Sequence, residues 1–392
     1  MKTKHTLTGM IIALILTASL LLSACGSQSG QSTNAAANSG ADSAQTTAGT
    51  ENQAASSGTT AAQTAATATA GDLFTERDLN QTADLSGAQT LTLTNGQNLT
   101  ISEAGVYLLK GSAENTTLII QAGDEDKVQL VLDGVSITNT TQPCILVENA
   151  DKVFLTSAQG SENTLTVSGA FSGEEDAVVF SRDDLVLNGL GSVTVTSSKD
   201  GIRSNDDLKL TGGTWDIQTT GSALKAHEGI YAWNGVYSLT AGSDGLHAEN
   251  NEDDTVGEIL IEGGSFTIQA WDDGIHATTS LTVNGGTLTI DAGEGMEATQ
   301  LFLNNGSISI QATDDGINAG QKSTSLKVKI EINGGEISIA MGPGDTDAID
   351  SNGDLIITGG RIQISAQSPF DYDGQGSLTG GAVIVNGTQV SS

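Results

Sequence analysis

Positive charge is scarce in this chain. Lys and Arg number 15 against 47 Asp and Glu over 392 residues, giving a net charge of −32. Nucleic acid is excluded as a partner, because its phosphates need a basic face. A free anionic polymer would also be repelled unless a cation mediates. Aromatic residues make up 4 %, and proline and cysteine occur three times and twice. No run longer than about ten residues has helical periodicity, which excludes a helical fold and leaves an all-β chain.

The chain opens with a targeting segment, residues 1–24. Lys2 and Lys4 form its positive end, and Ile11 to Leu22 form an apolar run too short for a comfortable membrane span. The run ends in Leu22-Ser23-Ala24-Cys25-Gly26. This resembles the lipobox of bacterial lipoproteins, in which the cysteine becomes the lipidated first residue, so Cys25 is the expected anchor. Residues 25–71 are an Ala/Ser/Thr/Gly-rich stretch with no apolar periodicity, which reads as a disordered tether. Such a leash spans roughly 35–40 Å. It would hold residues 72–392 off the outer face of a bacterial membrane as one large domain, expected to be monomeric. With Cys25 lipidated, Cys144 has no partner for an intramolecular disulfide.

What is abundant is repetition. Asp272-Asp273-Gly274-Ile275-His276-Ala277 shares its core with Asp200-Gly201-Ile202-Arg203-Ser204, Asp244-Gly245-Leu246-His247-Ala248, Glu294-Gly295-Met296-Glu297-Ala298 and Asp315-Gly316-Ile317-Asn318-Ala319. Weaker copies begin at Ser222 and Asp347. From Asp200 the steps are 22, 22, 29, 21, 21 and 32 residues, the longer ones being one period plus a loop. After each acid come an apolar run, a Gly pair and a second run, as in Ile259-Leu260-Ile261-Glu262-Gly263-Gly264-Ser265-Phe266-Thr267-Ile268. The second runs align into two apolar columns, one from Trp215 to Ile362 and the other from Ile217 to Ile364. Three short strands per ~21-residue coil predict a single-stranded parallel β-helix of about ten coils. Right-handed winding follows from the general bias of parallel crossovers. Leucine-rich repeats lack their consensus here, and propeller blades are about twice as long. In the same register Cys144 takes a small-residue slot, which predicts a buried structural thiol.

Stacking at ~4.8 Å would place the acids in a column. Adjacent carboxylates repel by about 1 kcal/mol in water and about 3–4 kcal/mol at an effective dielectric of 20. Hard oxygen ligands on flexible loops select Ca²⁺. The candidate ligands are Asp200, Asp244, Asp272, Asp273, Asp314, Asp315, Asp345 and Asp347. Asp-Gly is also simply a good turn dipeptide, and the nonapeptide calcium pattern of other β-rolls is absent. A second, outward column reads Arg203, Lys225, His247, His276, Glu297, Asn318 and Asp350. It is either a solvated strand face or a polar strip for a long polymer. With Trp233 and Trp271, the residues Arg203, Lys225, His247 and His276 are the candidate sugar contacts. His247 and His276 alone are too few for a zinc site.

The repeated Asp-Gly-Ile-x-Ala followed by Leu-x-Val-Asn-Gly-Gly-x-Leu-x-Ile carries a family resemblance. So do Leu130-Val131-Leu132-Asp133-Gly134, Asn149-Ala150-Asp151-Lys152-Val153 and Asp371-Tyr372-Asp373-Gly374. Over most of residues 75–390 the chain resembles the bacterial carbohydrate-binding domain family of secreted β-helix proteins, relatives of the pectate-lyase-like folds. The resemblance implies a right-handed β-helix with bound Ca²⁺ that binds polysaccharides such as cellulose or polygalacturonate. It does not imply lyase activity. A lyase would need a base and a cation beside the α-proton, with Lys225 or Arg203 as the base. A surface scaffold with a protein partner is the third reading.

Overall fold

The computed structural model describes residues 73–343 and 346–390. The expected leader, Cys25, the tether and Asp345 lie outside the described residues. Apart from one helical turn, α1 (Glu76–Leu79), the named elements are strands. They form two sheets of 24 and 12 strands. Among the described residues the named strands pair in parallel, except where Ala382–Val385 meets Thr388–Val390 antiparallel.

The repeat read in the sequence is the unit of this pairing. Asp200–Ser204, Asp207–Leu210 and Thr214–Thr219 form one repeat. Each pairs with its equivalent in the next: Leu224–Ala226, Gly229–Ala232 and Val236–Ala241. Three ladders result, an acid ladder, a middle ladder and a third ladder. The acid ladder is the 12-stranded sheet. The other two are merged into one sheet by Lys127–Asn139, which is long enough to pair into both.

The core follows from strict alternation, since successive side chains point to opposite faces. Trp215, Tyr237, Phe266 and Leu288 are register partners, as are Ile217, Leu239, Ile268 and Ile290, and all are buried. Each large side chain contributes roughly 1.5–3 kcal/mol of burial. The Tyr237 and Phe266 rings stack at 4.8 Å. Polar tips are satisfied locally: Trp215 Nε1 donates to Gly212 O at 2.9 Å and Tyr237 Oη to Asn234 O at 3.1 Å. Cys144 is fully buried, and burial pushes its thiol up to about 12, as expected for a structural cysteine.

The glycine of each acidic motif has a different role from the one its Asp-Gly sequence suggests. It does not need the left-handed backbone of a turn. It is required because its own repeat and the next leave no room: a Cβ on Gly274 would lie 2.3 Å from Ile290 Cγ2 of the same repeat and 2.6 Å from Gly295 O of the next. The turn glycine is the second of each Gly pair, such as Gly264 with φ +97.

Residues 73–81, which carry no copy of the repeat, form a strap on the outer face of the middle ladder. Asp78 is completely buried and pairs with Lys152 at 3.5 Å. Lys209 Nζ donates to Leu73 O at 2.8 Å, and Thr211 Oγ1 to Asp78 O at 2.6 Å. Arg77 lies 4.4 Å over the Phe154 ring.

Candidate functional site

The polar column stands in register as the period predicts. Arg203, Lys225, His247, His276, Glu297, Asn318 and Asp350 are successive partners along the acid ladder. The expectation that it faces solvent needs correction at its centre. His247, His276 and Glu297 are buried, while Arg203, Lys225, Asn318 and Asp350 are half-buried.

Two loops account for this. The steps of 29 and 32 residues place extra segments, residues 249–257 and 320–328, at the same corner, between acid and middle ladders. Thr324 N and Oγ1 both donate to Asp254 Oδ2 at 2.7 Å, joining the loops across the two repeats between them. Glu249 and Lys322 come from these loops and engage the column.

The resulting ion cluster is specific. His247 Nδ1 meets Asp244 at 2.6 Å and its Nε2 meets Glu249 at 3.1 Å. His276 Nδ1 meets Asp273 at 2.7 Å and Glu297 at 3.0 Å. Lys322 Nζ pairs with Glu297 at 2.7 Å. Burial opposes the charged His276 ring, but Asp273 and Glu297 outweigh it and hold its pKa up at about 10. His247 is likewise raised, burial being overcome by Asp244 and Glu249. Asp244 is buried yet held down at about 2, chiefly by His247. Carboxylates that would repel each other at ladder spacing are thus interleaved with protonated side chains.

The acids also serve the backbone. Asp200 Oδ1 accepts from Ser222 N at 3.0 Å, Asp244 Oδ1 from Asp273 N at 3.2 Å and Asp315 Oδ1 from Asp347 N at 3.1 Å. Ser222, which interrupts the acid column, donates its hydroxyl to Asp244 at 3.1 Å. Asp272 and Asp314 are exposed, and Asp347 is half-buried with Ser368 as its hydroxyl donor.

Among the described residues, Asp273, His276 and Glu297 are the one set with ligating atoms mutually within 4.8 Å. This mixed set carries its own cations, His276 and Lys322, and so matches a hard oxygen-seeking ion poorly. Further along the column, carboxylates gather around Asp350. The Asp350 carboxyl is raised to about 6 by burial and by Asp315, Asp347, Asp371 and Asp373. Glu294 is raised to about 7 by burial and Glu297.

The remaining candidates separate. Arg203 bonds Asp176 at 2.9 Å and His227 Nε2 at 2.9 Å. Trp271 follows the third-ladder strand Ser265–Ala270 and is 84 % exposed. Trp233 lies at a different corner, after the middle-ladder strand Gly229–Ala232. It is 37 % exposed, with Phe74 of the strap 5.6 Å away. The two indoles therefore do not share a corner. Sequence reasoning missed Glu249 and Lys322. The only signal for them was the two long steps, which mark insertions without saying what they cover.

Fold and site together define an all-β repeat protein built on register-locked ladders, one of which carries a long polar column. The chain belongs to the carbohydrate-binding domain-containing protein family, which matches residues 95–346 and 296–391. A carbohydrate-binding domain-containing protein of Acetivibrio thermocellus (strain ATCC 27405) is 32 % identical over 200 residues, which is 49 % of this chain and 70 % of that protein. The solved polysaccharide lyase-like protein from C. thermocellum, in its gadolinium derivative, is 32 % identical. That match covers 52 % of this chain and 84 % of that one, with a TM-score of 0.48.

Proposed function

We propose that this protein binds polysaccharide at the outer surface of a bacterial cell, held there by lipid on Cys25. The three ladders are read as the walls of a right-handed, single-stranded parallel β-helix of about ten coils. The observation that carries the binding role is Trp271, a nearly fully exposed indole beside the acid ladder in a member of a carbohydrate-binding family. A large aromatic left in water where the fold does not need it is a ready stacking platform for a sugar ring. Half-buried Arg203 and Lys225 supply donors in the same column, and His247 and His276 keep that column rigid. Ca²⁺ is assigned to the acid-only end around Asp315, Asp347 and Asp350. There it would neutralise the carboxylates and allow an acidic glycan to approach.

The test is a glycan array with and without Ca²⁺, followed by affinity electrophoresis in polygalacturonate and in a soluble glucan. Retention that falls with Trp271→Ala supports the reading. Wild-type protein that migrates unretarded through every glycan would end it. Ultraviolet-absorbing unsaturated uronides released from pectate, and lost with Lys225→Ala, would replace it with the lyase reading.

A further inference from the structure

The strap, residues 73–81, sits on the middle ladder as a docked peptide rather than as a part of the repeat. The contacts that hold it lie on residues 152–233, well past the strands that directly follow it in sequence. Phe74 is buried with the Trp233 ring 5.6 Å away. Completely buried Asp78 is met by Lys152, itself buried. Asn188 Nδ2 donates to Asn80 O at 3.2 Å. The Gln81 amide bridges two repeats, accepting from Gly189 N at 2.9 Å and donating to Thr211 O at 3.0 Å. Gly212 leaves room for it, since a Cβ there would overlap Gln81 Oε1. The linker that follows, residues 82–88, is mostly exposed. Among the described residues its hydrogen bonds are local: Thr82 N to Asn80 Oδ1, Ser86 N to Asp84 Oδ1 and Ala88 N to Leu85 O.

We propose that this docking site also accepts the strap of a second copy of the chain, so that two copies exchange straps through their linkers. The span of the linker points to exchange. The strand after it, Gln89–Thr92, is connected along the middle ladder through Gly105–Glu114, Lys127–Asn139 and Lys152–Ser157 to Asp184–Gly189, where Gln81 is held. Those four steps cover ~19 Å. The linker reaches ~26 Å at full extension, so it is drawn out when the strap docks on its own domain. A short, drawn-out hinge favours exchange. Exchange rebuilds the same contacts between copies, so its cost is the loss of the strap's own effective concentration. Recognition is specific to this segment. Lys152 requires a carboxylate, and Gly189 N and Thr211 O require one group that both accepts and donates, as the Gln81 amide does. A segment lacking either leaves buried groups unpaired. On the carbohydrate-binding reading, an exchanged dimer would hold a polymer at two acid ladders. The exchange itself does not depend on that reading.

The experiment uses two variants of the purified protein, Asp78→Lys and Lys152→Glu, each of which sets like charges together under the strap. Circular dichroism shows whether the ladders of each are folded, and sedimentation across a concentration series gives the mass. Each variant alone should be monomeric, because neither can dock its strap. Mixed in equal amounts they should form a heterodimer, because each strap then meets an opposite charge on the other copy. Combining both substitutions in one chain should restore docking within that chain and return a monomer. A second design needs no change of charge. Deleting residues 83–86 leaves a linker of about 13 Å, too short for a strap to reach its own site. That chain should convert to a dimer, and Asp78→Lys should dissociate it. A folded mixture that sediments only as monomers overturns the proposal, as does a folded deletion variant that stays monomeric. A deletion-variant dimer that survives Asp78→Lys is held by another surface and overturns it as well.

Discussion

The imidazoles of His247 and His276 lie parallel one repeat apart, with centroids 4.9 Å apart and an interplanar angle of 11°. Each directs Nδ1 to the aspartate three residues before it. Two rings held cationic by their own acids can stack because each positive charge is matched within its own repeat.

Removing one ring tests this. His276→Gln leaves Asp273 and Glu297 buried together without their shared cation, which should cost on the order of 3 kcal/mol in urea unfolding. Adding Glu297→Gln should recover part of that loss. A double mutant as unstable as the sum of the single mutants would show that the ring and the acid are not coupled.

Stability should fall on the alkaline side. The His276 pKa is raised from 6.5 to about 10, so its contribution is complete below 6.5 and is lost as pH rises towards 10. Glu294, raised from 4.5 to about 7, adds to the fall, because ionising it in the folded state becomes a penalty over that window. On the acid side, Asp244 and Glu249, both lowered to about 2, lose their contribution as pH drops below 4. Melting temperature should therefore peak near pH 5. Glu294→Gln should flatten the decline between pH 5 and 7.

Gly274→Ala should destabilise by about 1–3 kcal/mol, since its Cβ has no free volume between repeats. Gly87→Ala, where a Cβ meets nothing within 4 Å, should change stability by less than about 0.5 kcal/mol. Equal effects at both sites, measured by chemical denaturation, would refute the steric explanation.

Trp271→Ala should leave the melting temperature unchanged and weaken glycan retention by about tenfold, because the ring is in water before binding. Trp233→Ala should instead lower stability, since its ring packs near Phe74.

Adding Ca²⁺ to chelated protein should raise the melting temperature in a concentration-dependent manner, as for any ligand of the folded state alone. Asp315→Asn with Asp350→Asn should abolish the rise. If Asp200→Asn with Asp244→Asn abolished it instead, the ion would belong at the other end of the column.

Much of this architecture is legible in one dimension. A repeat whose units pair only with their neighbours turns sequence period into spatial register. Hence the columns from Trp215 to Ile362 and from Arg203 to Asp350 could be written down before any coordinate. Alternation then assigns Phe266 and Ile268 to the core by the same arithmetic.

Tertiary structure decided what lies over those columns. Burial of His247, His276 and Glu297 depends on two loops meeting through Thr324 and Asp254, which are 70 residues apart. The strap at Asp78 reaches Lys152 from a segment with no period at all. The role of Gly274 depends on the atoms of Ile290 and Gly295 in other strands. Local pattern determines which residues share a face. Whether that face meets water depends on non-periodic segments, whose positions are set by long-range contacts that leave no mark in the repeat.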